Sequence, residues 1–367
     1  MKHKPLKIRK AYLLSILAIL ALGIFLTLFL AQSEANGYEE AQRNAAARME
    51  RAEAYIKKSI LDKGFAIEET DINRTGLLGP EFTELTSTPG EEGAKRSTLN
   101  PEFAAVMVRY FHEAGLKEGD SIAIGSSGSF PGFLFAVLTA ATEMKLEARV
   151  IASVGASMHG ATRVEYNIFH VLRDLKESGE AEYSLLGVSC GGENDRGGGV
   201  MEGFLYEGTA ELSLKLCREE AERTGAVLIY KDTLEESIQE RLYLFGDDVK
   251  MFVNIGGAST NNGTSSYTLD FPPGLVMKVD RIPQGGERGL IFEYAERGIP
   301  VINLLSVKKL CQENSIAFDP VPLPSSSSSA VYSSVTYNPL IIISTLLLAS
   351  ILLILGILDA RRETKSM

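Results

Sequence analysis

The stretch SIAIGSSGSFPGFLFAVLTAATEMK, residues 121–145, decides the fold of this chain. Its first four residues form an apolar run that predicts a buried strand, and Phe133, Val137 and Ala141 follow at helical spacing. A strand therefore leads into a helix. The small residues 125–129 between them let a ligand approach the backbone, where free N–H groups at a helix start favour an anion. This junction is the first candidate for a binding site.

The order of apolar run, glycine-rich loop and helical pattern recurs along the chain. The further predicted strands are 149–154, 184–189, 226–230, 251–255 and 299–305, and the glycine-rich loops are 125–129, 155–160, 190–199 and 256–263. Such alternation predicts an α/β fold, with a mainly parallel sheet and helices on both of its faces. We expect the four loops to meet at the carboxyl edge, where such sheets bind ligands. The alternative is that glycine serves only tight turns.

Two long uncharged runs, residues 11–31 and 340–358, are long enough to cross a bilayer as helices. Both are flanked by Lys and Arg on the terminal side, which predicts that both termini are cytoplasmic and the middle is extracytoplasmic. The predicted segments are a basic tail (1–10), an extracytoplasmic domain (37–318) with a stalk helix (38–63), a Pro/Ser-rich tether (319–339) and a second basic tail (359–367). Alternatively, the first run is a signal peptide cleaved near Ala31.

The net charge, the hydrophobic content and the cysteine number argue against several classes of protein. A net charge of −10 gives no broad electrostatic footprint for nucleic acid, and 45% hydrophobic residues predict a packed core. Cys190, Cys217 and Cys311 are an odd number at wide spacings, so they define neither a disulfide framework nor a zinc motif, and at most one bridge is possible.

Several polar residues in or beside the predicted loops are candidates for binding an acidic ligand. Arginine forks match carboxylates, so the basic residues are expected as carboxylate partners, although each alone is also typical of an ordinary surface charge. The serines are expected as hydrogen-bond donors. The candidate ligand-binding residues are Ser126, Ser127, Ser129, Lys95, Arg96, Arg163, Asp195, Arg196, Asn254 and Asn262.

Catalytic motifs are incomplete. The loop Gly125-Ser126-Ser127-Gly128-Ser129 departs from the nucleophile motif G-x-S-x-G at its last position, and among the histidines His159 alone falls in a predicted edge loop. Ser127 and His159 are therefore the candidate catalytic pair. No dinucleotide or P-loop motif is present, and Glu193 with Asp195 supplies too few carboxylates for a metal site. We expect neither a metal nor a cofactor.

Eight motifs together resemble the poly-γ-glutamate system protein family. They are NRTGLLGPEF (73–82), AKRSTLNPEFAAVMV (94–108), GSFPGFLFAVLTAA (128–141), SVGASMHGA (153–161), GGENDRGGG (191–199), LEESIQERL (234–242), FVNIGGAS (252–259) and PPGL (272–275). The resemblance implies a bacterial membrane protein of capsule or cell-envelope polymer production, but no particular reaction. It implies an accessory role in poly-γ-glutamate synthesis or export, with the polymer, a glutamate-like ligand or the synthase membrane subunits as partners.

Two other functions stay open at this stage. The first is an extracytoplasmic hydrolase or transferase acting on poly-γ-glutamate or on a cell-envelope sugar or peptide, with Ser127 as nucleophile. The strand–GSSGS–helix element is also similar to sugar-phosphate-binding folds, which would make a phosphosugar the ligand. The second is a scaffold whose two spans pack with partner helices, with Gly23 and Gly356 as contact positions.

Overall fold

The computed structural model describes residues 8–35, 37–284, 288–325 and 330–365. The chain forms two compact units, one made of Met1–Gly37 with Ser333–Met367 and the other of Tyr38–Tyr332. Parts of the predicted basic tails and of the predicted tether, namely residues 1–7, 326–329 and 366–367, lie outside the described residues.

The larger unit is built on a seven-stranded sheet. Its strands are β1 (Ser121–Ser127), β2 (Glu147–Ser153), β3 (Ser184–Ser189), β4 (Val227–Ile229), β5 (Met251–Ile255), β6 (Gly274–Val276) and β7 (Val301–Leu304). Their spatial order is β6-β7-β5-β1-β2-β3-β4. All neighbours run parallel except β6, which pairs antiparallel with β7 at one edge. The prediction of an α/β fold with a mainly parallel sheet is confirmed.

The strand order reverses its direction between β1 and β5. From β1 the chain builds outward through β2, β3 and β4, and it then returns to place β5 on the other side of β1. In open parallel sheets this reversal leaves a crevice outside the carboxyl ends of the two central strands, and ligands bind there. The loops after β1 and β5 are therefore the first place to look for a site.

Buried side chains on successive positions of the central strands point to opposite faces of the sheet. Ile122 and Ile124 of β1 belong to one hydrophobic cluster, whereas Ala123 between them belongs to a second. The alternation follows from the two-residue period of a strand. Each cluster also contains side chains from helices, so both faces of β1 are covered.

Twelve helices lie within the described residues. They are α1 (Lys10–Phe29), α2 (Glu39–Asp62), α3 (Glu92–Ser97), α4 (Glu102–Glu113), α5 (Pro131–Glu143), α6 (Ile168–Glu177), α7 (Thr209–Thr224), α8 (Leu234–Phe245), α9 (Ser259–Asn262), α10 (Leu290–Glu296), α11 (Val307–Glu313) and α12 (Pro339–Lys365). Short strand pairs join Thr86–Thr88 to Ala156–Ser157, and Gly191–Gly192 to Arg196–Gly197.

The larger unit extends beyond the predicted domain, residues 37–318, at its C-terminal end. Asp319 is held by Arg96, the carbonyl oxygen of Pro320 accepts a hydrogen bond from Asn73 at 3.0 Å, and Val331 and Tyr332 are buried. The predicted stalk helix, α2, likewise packs on the core through Ala45, Met49 and other buried residues. The contacts of residues 319–332 are long-range and have no signature in local sequence, whereas the buried face of α2 follows the helical spacing of its apolar residues.

The smaller unit pairs α1 with α12 and Gln32–Ala35 antiparallel with Ser333–Thr336. Both helices are long and apolar enough to cross a membrane, and only 6% of each apolar window is buried. Gly23 is buried, and a Cβ atom there would lie 2.2 Å from Thr345 Cγ2. A Cβ atom at Gly356 would lie 3.2 Å from Tyr12 Cγ. The two glycines are therefore contact positions between these helices.

Candidate functional site

A cleft of about 480 Å³ lies at the carboxyl edge of the sheet. Its walls come from the loops that follow β1, β2, β3 and β5, from residue Leu305 after β7, and from the segment 87–91 with the first half of α3. The prediction that the glycine-rich loops meet at one edge is borne out by this lining. The cleft also coincides with the strand reversal between β1 and β5, where the topology leaves room for a ligand.

Glycine is required where two of these loops touch. Gly256, after β5, has φ of +92°, and a Cβ atom there would lie 2.7 Å from Ser127 Oγ. A Cβ atom at Gly128, after β1, would lie 2.9 Å from the Cβ of Ala156. Side chains at these positions would separate the loops, so the glycines keep the cleft walls in contact.

Lys95 is the buried cation of the cleft. Its side chain leaves α3 and is only 3% exposed, and its Nζ donates hydrogen bonds to the carbonyl oxygen of Ser129 and to Ser157 Oγ. The ammonium also lies 4.1 Å from the centre of the Phe130 ring. In the described part of the chain no carboxylate oxygen forms an ion pair with Lys95, so burial alone lowers the pKa of its ammonium to about 7.

Two serines, one at the end of β1 and one in the loop after it, form part of the cleft wall. Ser127 and Ser129 line the cleft, where Ser127 Oγ accepts a hydrogen bond from the Ser129 N–H at 3.4 Å and Ser129 Oγ accepts one from the Ser157 N–H at 3.0 Å. Ser126 does not line it, and its hydroxyl donates to the carbonyl oxygen of Ser127 at 3.1 Å. Because Lys95 donates hydrogen bonds to both Ser129 and Ser157, it connects the loop after β1 to the loop after β2.

The structure does not pair Ser127 with His159. The His159 ring is buried at φ of +61°, with Nε2 3.7 Å from Glu92 Oε1, and no hydrogen bond joins it to Ser127 within the described residues. A serine nucleophile needs a base within hydrogen-bond reach. The hydrolase alternative with Ser127 as nucleophile therefore does not have His159 as its base in this arrangement.

The three predicted arginines all have partners away from the cleft. Arg96 forms a two-pronged pair with Asp319, at 2.7 Å for both contacts, which raises the pKa of its guanidinium. Arg163 binds Glu68 at 2.7 Å, and Arg196 binds the Lys231 carbonyl at 2.7 Å and Asp232 at 3.0 Å. None of the three lines the cleft as described, so the prediction that they are carboxylate partners for a ligand finds no geometric support.

Asp195 has a structural partner that the sequence analysis missed. It accepts hydrogen bonds from Ser189 Oγ at 2.8 Å, the Gly191 N–H at 3.1 Å and Ser237 Oγ at 2.6 Å. Arg241 of α8 completes the site with an ion pair at 2.8 Å, in which both side chains are at most 3% exposed. This buried pair fixes the loop after β3, and both oxygens of the Asp195 carboxylate have partners within the fold.

The predicted asparagines belong to a buried amide network behind the loop after β5. Asn254 donates to Asn262 at 3.2 Å and to Asn303 at 2.9 Å, while Asn261 donates to Asn254 at 2.9 Å and to the Gly125 carbonyl oxygen at 2.8 Å. The network ties the loop to β1 and β7. Neither Asn254 nor Asn262 lines the cleft, so their part is to hold its wall in place.

Metal binding and cysteine chemistry find little support among the described residues. Within the described residues no group of three or more His, Cys, Asp and Glu could hold a metal ion. Cys190, Cys217 and Cys311 are free thiols and all are buried, and burial raises the pKa of the Cys217 thiol well above its usual range. A thiol in this state is a poor nucleophile.

Comparisons with known proteins leave the function open. No family profile matches the chain, and no curated protein sequence does so either. The chain is similar to the crystal structure of O-ureido-L-serine synthase, with 12% sequence identity over 63% of this chain and 73% of that one. The TM-score is 0.17, which is too low to support any inference from that protein to this one.

Three residues of the cleft were missed by the sequence analysis. Phe130 and Ser157 contact the Lys95 ammonium, and Ser259 lines the cleft in the loop after β5. Each directly follows or lies within a predicted glycine-rich loop, so the position of these loops after parallel strands was the signal available. Which loop residues face the cleft depends on backbone conformation that periodicity does not specify.

Proposed function

We propose that this protein is a membrane-anchored accessory component of poly-γ-glutamate synthesis or export, whose α/β unit binds a glutamate-like carboxylate in the cleft at the carboxyl edge of the sheet. The pathway is proposed from the resemblance of the eight motifs quoted above. The binding site is proposed from geometry. The unit would lie outside the cytoplasmic membrane, with both termini inside.

One observation carries the proposal for the site. Lys95 is a buried base that lines a cleft, and its hydrogen-bond partners are neutral oxygens. A buried ammonium without a counter-ion is unfavourable, and a bound carboxylate would supply that counter-ion. A carboxylate ligand therefore stabilises the charged form of Lys95 and is itself held by a charge-assisted hydrogen bond.

The size and charge of the cleft limit the ligand. A volume of about 480 Å³ lies at the lower end of small-molecule sites, so it suits a single glutamyl unit or the end of a chain. Of the acidic residues in the lining, Glu91 is paired with Lys308 at 2.7 Å. The net charge of −10 opposes the approach of a long polyanion, which also favours a short ligand.

Calorimetry on the full chain in detergent tests this function. At pH 6.5 we expect glutamate and a short γ-glutamyl oligomer to bind, and we expect Lys95→Gln to weaken binding about tenfold or more, because it removes a charge-assisted hydrogen bond worth roughly 1.5–3 kcal/mol. Arg196→Gln is the matched control. It removes a basic residue from the same edge of the sheet but outside the cleft, and we expect unchanged affinity.

Two results would overturn the proposal. Absence of binding by either ligand would remove the acidic-ligand function, and equal affinity in wild type and Lys95→Gln would move the binding site away from the cleft. Orientation is tested separately by labelling single cysteines placed in exposed loops of intact cells. A reagent that cannot cross the membrane is expected to label Tyr243→Cys, a residue that is 80% exposed in the larger unit.

A further inference from the structure

Lys95 is held in one position, unlike a surface lysine. Its Nζ is fixed by two hydrogen bonds and the Phe130 ring, and its stem is confined by Gly90, where a Cβ atom would lie 3.2 Å from Lys95 Cε. Long charged side chains normally keep many rotamers, and their loss opposes any reaction. Here the amine is already placed on the wall of the cleft before a ligand arrives.

The amine is also available in its neutral form near neutral pH. An ordinary lysine has a pKa of about 10.4, so only about one in a thousand is neutral at pH 7. Burial lowers the pKa of the Lys95 ammonium to about 7, so roughly half is neutral there. The other titratable groups on α3 and in the lining are Glu91, Glu92, Arg96 and Glu193, and His159 approaches Glu92. Within the described residues Arg96 pairs with Asp319 and Glu92, Glu91 pairs with Lys308, and none of these groups forms an ion pair with Lys95.

We propose that Lys95 is a nucleophilic amine that condenses with a small anionic carbonyl compound bound in the cleft. A desolvated lysine in a fixed position is the arrangement that forms imines with carbonyl substrates. This inference shares the cleft with the proposed function, but it does not depend on the ligand being glutamate or on the poly-γ-glutamate pathway.

The condensation needs no other reactant. The Lys95 nitrogen forms a bond to the carbonyl carbon, and the electron pair of the carbonyl π bond moves to oxygen, which takes a proton that the nitrogen loses. The resulting carbinolamine loses its hydroxyl group with a second nitrogen proton as one water molecule, which leaves the imine. No oxidant or reductant takes part. Ser157 Oγ and the Ser129 carbonyl hold the amine in place before it reacts. The neutral imine nitrogen carries no N–H, so it can no longer donate to either oxygen, and the Ser157 hydroxyl can donate to it instead.

The charged form of Lys95 sets the anionic part of the ligand. Lys95 lines the cleft, and within the described residues no carboxylate forms an ion pair with it, so an anionic group on the ligand would supply the counter-ion that burial withholds. The ligand class is therefore an aldehyde or ketone that also carries a carboxylate or a phosphate.

Reductive trapping on the full chain in detergent tests the inference. The probes are 2-oxoglutarate, which carries carboxylates, and pyridoxal 5′-phosphate, which carries a phosphate. Each is added at about one equivalent at pH 8 with cyanoborohydride, and the adduct is located by peptide mass spectrometry. We expect a secondary-amine adduct on Lys95 from at least one probe, at close to one per chain. The ratio of Lys95 labelling to the labelling of exposed lysines by the same probe, compared between the two probes, identifies the anionic group.

Two variants separate the nucleophile from its surroundings. Lys95→Arg keeps the charge but cannot form the adduct, and we expect it to lose at least nine-tenths of the labelling. Lys308→Arg removes an exposed lysine at the rim of the cleft and is expected to label like wild type. Adduct formation on Lys95 is also expected to rise with pH through about 7, whereas exposed lysines keep rising above pH 9.

The opposing result is equally definite. Labelling spread over exposed lysines, with Lys95 no more modified than the rest in wild type, would refute the inference even if the variants fail to fold. Glutamate has no aldehyde or ketone, so calorimetry with glutamate reports on the proposed function alone. Glutamate binding without an adduct keeps the function and removes the inference, and an adduct without glutamate binding does the reverse.

Discussion

Lys95 and Arg241 are two buried bases at the same edge of the sheet, and they differ in their partners. Arg241 meets Asp195 at 2.8 Å, and that carboxylate also accepts hydrogen bonds from Ser189, Ser237 and the Gly191 backbone. Within the described residues, the polar and aromatic partners of Lys95 Nζ are the oxygens of Ser129 and Ser157 and the Phe130 ring. The charge of Arg241 is therefore neutralised within the fold, whereas Lys95 forms no ion pair among these residues.

The presence or absence of a counter-ion distinguishes a buried charge that stabilises the fold from one that is suited to binding or catalysis. A buried pair whose hydrogen bonds are all made belongs to the scaffold, because its charge has no reason to interact with anything else. A buried base without a counter-ion is unfavourable in the free protein, and such groups cluster at sites where binding or chemistry relieves the burial. Substitutions at the two bases and at the serines that bind them test this contrast.

The largest effect is expected at the paired base. Arg241→Met leaves the Asp195 carboxylate buried without its counter-ion, and we expect a loss of about 3–5 kcal/mol in the free energy of unfolding. Adding Asp195→Leu removes the stranded charge and should recover part of the loss. Far-UV circular dichroism in urea is the measurement, since the chain has no tryptophan. A loss below 1 kcal/mol for Arg241→Met would contradict the claim that the Arg241–Asp195 pair stabilises the fold.

At the unpaired base the expected effect depends on pH. Because the pKa of Lys95 is lowered to about 7 in the folded protein, the unfolded chain holds one more proton between pH 7 and about 10. The free energy of unfolding should therefore rise with pH by about 1.4 kcal/mol per unit above pH 7. In Lys95→Met this part of the slope should be absent. Equal slopes in both proteins would show that Lys95 titrates like an exposed lysine.

The smallest effects are expected at two serines: Ser237, which donates a hydrogen bond to Asp195 beside Arg241, and Ser157, which accepts one from Lys95. Ser237→Ala removes a hydrogen bond to the ionised Asp195, and we expect a loss of about 1.5–3 kcal/mol in the free energy of unfolding. Ser157→Ala removes an acceptor from Lys95, which is partly neutral at pH 7, and the expected loss is about 0.5–1.5 kcal/mol. Urea unfolding of both variants at pH 7 gives the ranking, and the reverse order would contradict it.

The sheet and the position of the cleft could be predicted from sequence. Parallel strands buried on both faces appear as continuous apolar runs, so 184–189 and 251–255 were placed to the residue. Strand β6 was missed, because three residues after Pro272 and Pro273 show no period. Helix α3 was missed for a similar reason, since six residues with four charged or glycine positions show no apolar stripe.

The sequence could not show which basic residues near the cleft are paired with a carboxylate and which are not. Lys95 and Arg96 are neighbours, and both were expected to bind a ligand, yet Arg96 meets Asp319, a partner 223 residues away. Arg241 lies in the segment LEESIQERL, where it is typical of an exposed helix face. Which base acquires a carboxylate is decided by tertiary contacts, so burial and pairing had to come from the structure.

The most direct test of the account is the titration of Lys95 itself. Trace labelling of the full chain in detergent with a small amine-reactive reagent, quantified for each lysine across pH 5–10, compares Lys95 with the exposed Lys215. We expect Lys95 to react with a midpoint near pH 7 and to be protected by a bound acidic ligand. A Lys95 that titrates together with Lys215, or that glutamate and the γ-glutamyl oligomer leave unprotected, would contradict it.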